Sequence, residues 1–196
     1  MRRNHGKIIV SVHCDVVWKA AKIKLLRKKR RRIYYGNLDN IVCVAEVLRS
    51  VMPRIRDRST KFYFTNGEET TMYGAKAVMH REGRALYIPI DVTTASPRAD
   101  INVEWPHNMD MKALKKALGY LPKMKVGYRS GHHDETMVYG KRYPSFSLNL
   151  PIEGQVHGKS KATFWKVRRF GRAVAEILRR VRRNYDAVCI FPKRKR

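Results

Sequence analysis

The chain is short of acid. Against 43 Lys and Arg it sets only 16 Asp and Glu, a formal charge of +27 on 196 residues. Solubility asks for far less, and so one-sided a balance repels itself in the compact state and excludes a surface neutralised throughout by ion pairs. Cysteine is also scarce. Cys14, Cys43 and Cys189 stand singly among Val, Ile and Ala, which excludes a disulfide framework and a zinc ribbon and predicts buried thiols. No apolar run approaches the roughly 18 residues of a membrane span, and no apolar segment precedes a small-residue cleavage site near the N-terminus. The expectation is a soluble, intracellular protein, cytoplasmic or associated with nucleic acid, and nuclear if its source is eukaryotic. Gly-rich phosphate loops, a Gly-x-Ser-x-Gly elbow and fixed-period repeats are all missing, so no cofactor is expected.

The cations are unevenly spread. Residues 1–60 hold 16 basic and 4 acidic side chains (+12), residues 61–120 hold 8 and 7 (+1), and residues 121–196 hold 19 and 5 (+14). The terminal thirds are therefore expected to form one basic surface on a near-neutral scaffold. The clearest element lies in the last third, where Val167, Phe170, Val174, Ile177, Val181 and Tyr185 recur at intervals of three and four and form one helix face. Arg168, Arg169, Arg172, Arg179, Arg180, Arg182 and Arg183 occupy the other faces, and Glu176 is the only acid between Ser160 and Tyr185. With so few acids at helical spacing, this pattern predicts arginines turned toward a polyanion.

Residues 7–17 alternate Ile8, Val10 and Val12 with Ser11, His13 and Asp15, a central strand by period and β-branching. Trp18 to Arg32 reads as a helix ending in six cations, Arg27, Lys28, Lys29, Arg30, Arg31 and Arg32. Asp39 or Asn40 is expected to cap a second helix carrying Ile41, Val44, Leu48, Val51 and Ile55, ended by Pro53. Lys61 to Thr94 reads as an antiparallel meander turning at Asn66-Gly67, with Pro89 on an edge strand. Residues 93–108 read as a surface loop. Asn108 is expected to cap a short helix with Met111, Leu114 and Leu118 on its face; strands follow near Lys123–Tyr128 and Pro144–Leu150, and a last strand at Ala187–Phe191. The fold class expected is α+β, a mostly antiparallel sheet packed against about four helices including the long arginine-rich one. It forms one domain over residues 1–191, with a flexible cationic tail at 192–196.

The function expected from these features is nucleic-acid binding through phosphates, RNA favoured over DNA, as a packaging or ribonucleoprotein component that could oligomerise on its nucleic acid. The docking residues would be Lys22, the run from Arg27 to Arg32, Arg54, Arg56, Arg58, Arg129 and the helix arginines, with Tyr34 and Tyr35 stacking on unpaired bases. An enzyme is the less favoured expectation. It would be a metal-dependent nuclease using His132, His133, Asp134 and Glu135 with His13 or Asp15, since imidazole and carboxylate can hold a cation beside a phosphodiester. Consecutive residues seldom converge, however, so no metal ligand is assigned and a polar turn is preferred. A third possibility is an adaptor for anionic membrane or acidic protein.

Overall fold

The computed structural model describes residues 6–16, 22–28, 30–129 and 134–192. Its main sheet has six strands in the order β4-β1-β5-β8-β6-β7: β1 Ile8–His13, β4 Thr60–Thr65, β5 Leu86–Thr93, β6 Ile101–His107, β7 Val126–Arg129 and β8 Ser145–Pro151. A smaller antiparallel sheet runs β2-β3-β10-β9, from β2 Lys24–Lys28, β3 Arg31–Gly36, β9 Glu153–Gly154 and β10 Ser160–Thr163. The mixed α/β architecture agrees broadly with the α+β expectation, but the main sheet is mostly parallel, with only β6 against β8 antiparallel. Burial explains this. All six residues of β1 and all seven of β8 are buried, as expected of strands covered by helices on both faces.

The helices are α1 Ile41–Glu46, α2 Tyr73–Glu82, α3 Met111–Leu118, α4 Thr136–Tyr139, α5 Phe164–Arg183 and α6 Tyr185–Val188; α1 runs on through a wider π turn at Val47–Val51 and a tight turn at Met52–Arg54. The two sides of the sheet bury different sets. Ile8, Val10 and Val12 share a core with Val42 and Val47 of the first helical stretch, Leu114 of α3, and Val167, Phe170, Val174, Ile177 and Val181 of α5. Ile9 and Tyr87 point the other way, against Ala75 and Val78 of α2 and Val138 and Tyr139 of α4. The α5 stripe therefore does what its period predicts, and each fully buried Phe or Ile contributes about 1.5–3 kcal/mol. Gly171 lets α5 lie close to the first helix, since a Cβ there would meet the Glu46 side chain at 2.4–2.9 Å.

Several expectations are corrected. The basic segment is a β-hairpin from Lys24 to Gly36 rather than the C-terminal part of a helix; Leu25, Leu26, Ile33, Tyr34 and Tyr35 supply the β-forming residues, and residues 17–21 and Lys29 lie outside the described residues. Between Lys61 and Thr94 there is no meander, because α2 carries the chain from β4 across to β5 and both strands run parallel to β1. Pro89 sits in a central strand; it ends the pairing with β1 opposite Ser11 and is passed over in the pairing with β8. Part of the expected 93–108 loop is the buried strand β6. Asp110 caps α3 in place of Asn108, accepting from the Ala113 N–H at 2.9 Å. Tyr185–Val188 is a helical turn, and only Cys189 bridges to Met109. Among the described residues no helix is long and apolar enough to cross a membrane. Most of the cationic tail, residues 193–196, lies outside them.

Candidate functional site

Parallel strands deliver their loops to one edge. At the carboxyl ends of β1, β4 and β5, where ligands of open α/β sheets characteristically bind, the chain gathers His13, Asp15, Asp39, Glu68, Glu69, Asp91 and His157. Asp39 is central. Its Oδ1 lies 3.2 Å from His13 Nε2 and its Oδ2 lies 3.3 Å from His157 Nδ1, so one carboxylate faces two imidazoles. His13 Nε2 is also 3.3 Å from Asp91 Oδ1, and His157 Nδ1 is 3.5 Å from Glu69 Oε1.

Local structure places each group. His13 ends β1 on the face shared with Ile9 and Ser11. Asp15 accepts from the Glu68 and Glu69 backbone N–H groups at 3.3 and 3.2 Å, and its Oδ1 lies 3.5 Å from His13 Nδ1, so it positions both the imidazole and the acidic loop. Gly67, with φ +76°, turns the chain into that loop; a Cβ there would meet the Tyr73 ring at 2.3 Å. Asp39 and Asn40 precede the first helix but neither caps it through its side chain: Asn40 instead donates to the Ile90 carbonyl at 2.7 Å. His157 comes from the turn between β9 and β10.

The electrostatics are those of crowded acids. Burial alone would lower the His13 pKa, but Asp91 and Asp39 outweigh it and bring it to about 12. Burial, reinforced by Asp91, pushes Glu68 up to about 9. Burial also raises Asp91 and Glu69.

A divalent cation fits this donor set. Ligand atoms of His13, Asp39 and Glu69 all lie within 4.8 Å of one another. Asp39 Oδ1 and Glu69 Oε1 are buried without a hydrogen-bond partner. One Nε2–H of His13 cannot point at both Asp39 and Asp91, whereas a cation could be shared by all three. Imidazole nitrogen with carboxylate oxygen suits zinc and neighbouring transition ions.

Of the site suggested by sequence, His13 and Asp15 are here. Asp134 and Glu135 are not: Asp134 accepts from the Thr136 N–H at 2.7 Å, and Glu135 is buried, taking hydrogen bonds from Ser11 and, at 3.4 Å, from Tyr139. His132 and His133 lie outside the described residues. Sequence reasoning did not place Asp39, Glu68, Glu69, Asp91 or His157 in a site. The one signal that could have found more was the Glu68-Glu69 pair directly after a strand, beside the His13-x-Asp15 spacing.

The arginines of α5 have partners inside the chain. Arg182 pairs with Asp57 and donates to Thr60 Oγ1 at 3.0 Å; Arg169 reaches Asp100 at 3.2 Å; Arg179 and Arg180 hold Glu176 at 2.9 and 2.8 Å, with Arg183 at 3.9 Å. Arg168 donates to Ser50 Oγ at 3.2 Å, Arg172 to the Arg168 carbonyl at 3.4 Å, and Arg180 also to the Leu118 and Tyr120 carbonyls. They fasten the helix as much as they charge it. Arg54, Arg56 and Arg58 are exposed, and Arg129 donates to Ser96 Oγ at 3.1 Å. Tyr34 is half-buried with its ring 6.2 Å from Phe164, Arg32 lies over Phe164 at 5.0 Å, and Tyr35 lines a cavity beside His157.

No family model and no curated protein matches the sequence. Solved structures do resemble the fold. Yeast aminopeptidase 1 matches with a TM-score of 0.61 at 13% identity, over 85% of this chain and 50% of that one. A TET aminopeptidase from a marine sediment archaeon of the Thaumarchaeota matches with 0.57 at 12%, over 81% and 52%. The pyrrolidone carboxyl peptidase of Thermococcus litoralis matches with 0.55 at 7%, over 93% and 96%. The chain thus spans about half the length of the aminopeptidases it resembles. These likenesses are to peptidases, and they overturn the expectation of an RNA- or DNA-binding packaging protein, ribonucleoprotein component or viral nucleoprotein.

Proposed function

We propose that the chain is a divalent-cation-dependent hydrolase that cleaves amide bonds in peptides. The observation carrying this reading is Asp39, whose two oxygens face His13 on one side and His157 on the other at 3.2 and 3.3 Å. Asp91 would complete a first cation position with His13 and Asp39 Oδ1; Glu69 would complete a second with His157 and Asp39 Oδ2. Cations held there would acidify a bound water and polarise the scissile carbonyl. Glu68 would serve as the general base: buried beside Asp91, its carboxyl is held protonated until cations in the site favour the carboxylate, which would then take a proton from the attacking water and return it to the leaving amine. Asp15 keeps the His13 ring and the Glu68–Glu69 backbone in place. The likeness to peptidases at the level of fold favours an amide over an ester or phosphate.

The test is titration of metal-stripped protein with cobalt(II), followed by absorption, and hydrolysis of a dipeptide and aminoacyl-amide panel with zinc, manganese and cobalt. Two bound equivalents are expected, with both lost in Asp39→Asn. Protein that retains no cation and cleaves no amide in the panel would overturn the reading.

A further inference from the structure

Beside His157 opens a cavity of about 350 Å³ lined by Lys22, Tyr35, Gly36, Asn37, Gly158 and Lys159 together with His157 itself. Its wall holds two ammonium groups and no carboxylate. The backbone brings them there: the Lys22 carbonyl runs so close to Gly36, with φ +139°, that a Cβ would sit 2.1 Å from it. Among the described residues neither Lys22 nor Lys159 has a carboxylate partner, unlike Arg169, Arg179, Arg180 and Arg182 of α5. The cavity opens onto the small sheet, whose hairpin carries Lys24, Arg27, Lys28, Arg30, Arg31 and Arg32, and whose acid, Glu153, is taken by Lys161 at 3.0 Å. Two cations without carboxylate partners therefore lie beside His157, with the basic hairpin running on from them, next to a cluster of acids that would otherwise repel an anionic substrate.

We propose that the hydrolase selects acidic peptides, with Lys22 and Lys159 seating a substrate carboxylate next to His157 and the hairpin attracting further acidic residues. The identity of the cleaved bond rests on the function proposed above; the binding preference does not. The volume admits one or two side chains, which suits a peptide segment and not a folded domain. Lysine acts as a point charge, adequate for a carboxylate that needs no bidentate clamp.

Fluorescence anisotropy with labelled Glu-rich, Gln-rich and Lys-rich peptides of equal length, on metal-stripped wild type and on the zinc-loaded protein, reads binding apart from cleavage. The Glu-rich peptide is expected to bind at least tenfold more tightly than the Gln-rich one. Lys22→Gln and Lys159→Gln should each weaken it about threefold and together about tenfold, leaving the Gln-rich peptide unaffected. Arg183→Gln, on the far end of α5, should change neither. Equal binding of Glu- and Gln-rich peptides, or a double lysine variant that binds like wild type, overturns the proposal even if amides are cleaved. Selective binding without cleavage sustains it and overturns the hydrolase instead.

Discussion

Glu82 offers a sharp test of how this basic protein uses its few acids. At the end of α2 its side chain is only 3% exposed, and it collects Lys7 at 3.0 Å, Lys61 at 3.0 Å and the Tyr63 hydroxyl. Burial alone would raise its pKa, but these three donors bring it from 4.5 down to about 2. A carboxyl depressed on folding stabilises the native state fully above about pH 4.5, and that contribution is lost as pH falls toward about 2. The difference corresponds to at most about 3 kcal/mol. Because the Lys61 side chain is 49% exposed and that of Lys7 32%, solvent screening reduces it to about 1–2 kcal/mol. Urea unfolding of wild type and Glu82→Gln from pH 7 to pH 2.5 should show wild type more stable by that amount at neutral pH, with the gap closing below about pH 4.5. Two curves that stay parallel over the whole range would refute the assignment.

Three other outcomes are expected. Glu68→Gln should lower kcat on a cleaved amide by about 10²–10⁴ while the bound cobalt stoichiometry stays unchanged, and a fall in both would make Glu68 a ligand instead of a base. Arg182→Gln, which unties Asp57 and Thr60, should cost about 1–2 kcal/mol by denaturant unfolding, whereas exposed Arg172→Gln should stay within about 0.5 kcal/mol; equal effects would remove the distinction between fastening and surface arginines. Phe170→Ala, at a fully buried position of α5, should cost about 3–5 kcal/mol, and a loss under 1 kcal/mol would contradict the packing described.

Legibility followed the range of the forces involved. Helix α5 could be read because its stripe repeats over 20 residues, and β1 because its alternation is local. The strand direction of β4 and β5 could not, since an apolar alternating run looks the same beside either kind of neighbour, and Asn66-Gly67 signals a turn without saying where the chain goes next. The cationic segment misled because Lys and Arg favour helices by propensity, while Leu25, Ile33, Tyr34 and Tyr35 pair across a hairpin. His13 and Asp15 stood out by their spacing; Asp39 was read as a helix cap, and nothing in its local sequence marked His157.

Residue types and local spacing alone established the cationic surplus, the isolated thiols and the amphipathic helix α5, because each is a property of residue type or of neighbours a few positions apart. Tertiary structure decided that the acids at 15, 39, 68, 69 and 91 would meet the imidazoles at 13 and 157, and that many of the arginines would be spent on the chain's own carboxylates and carbonyls. Parallel pairing of β4, β1 and β5 sends loops far apart in sequence to a single edge, and no local pattern encodes that convergence.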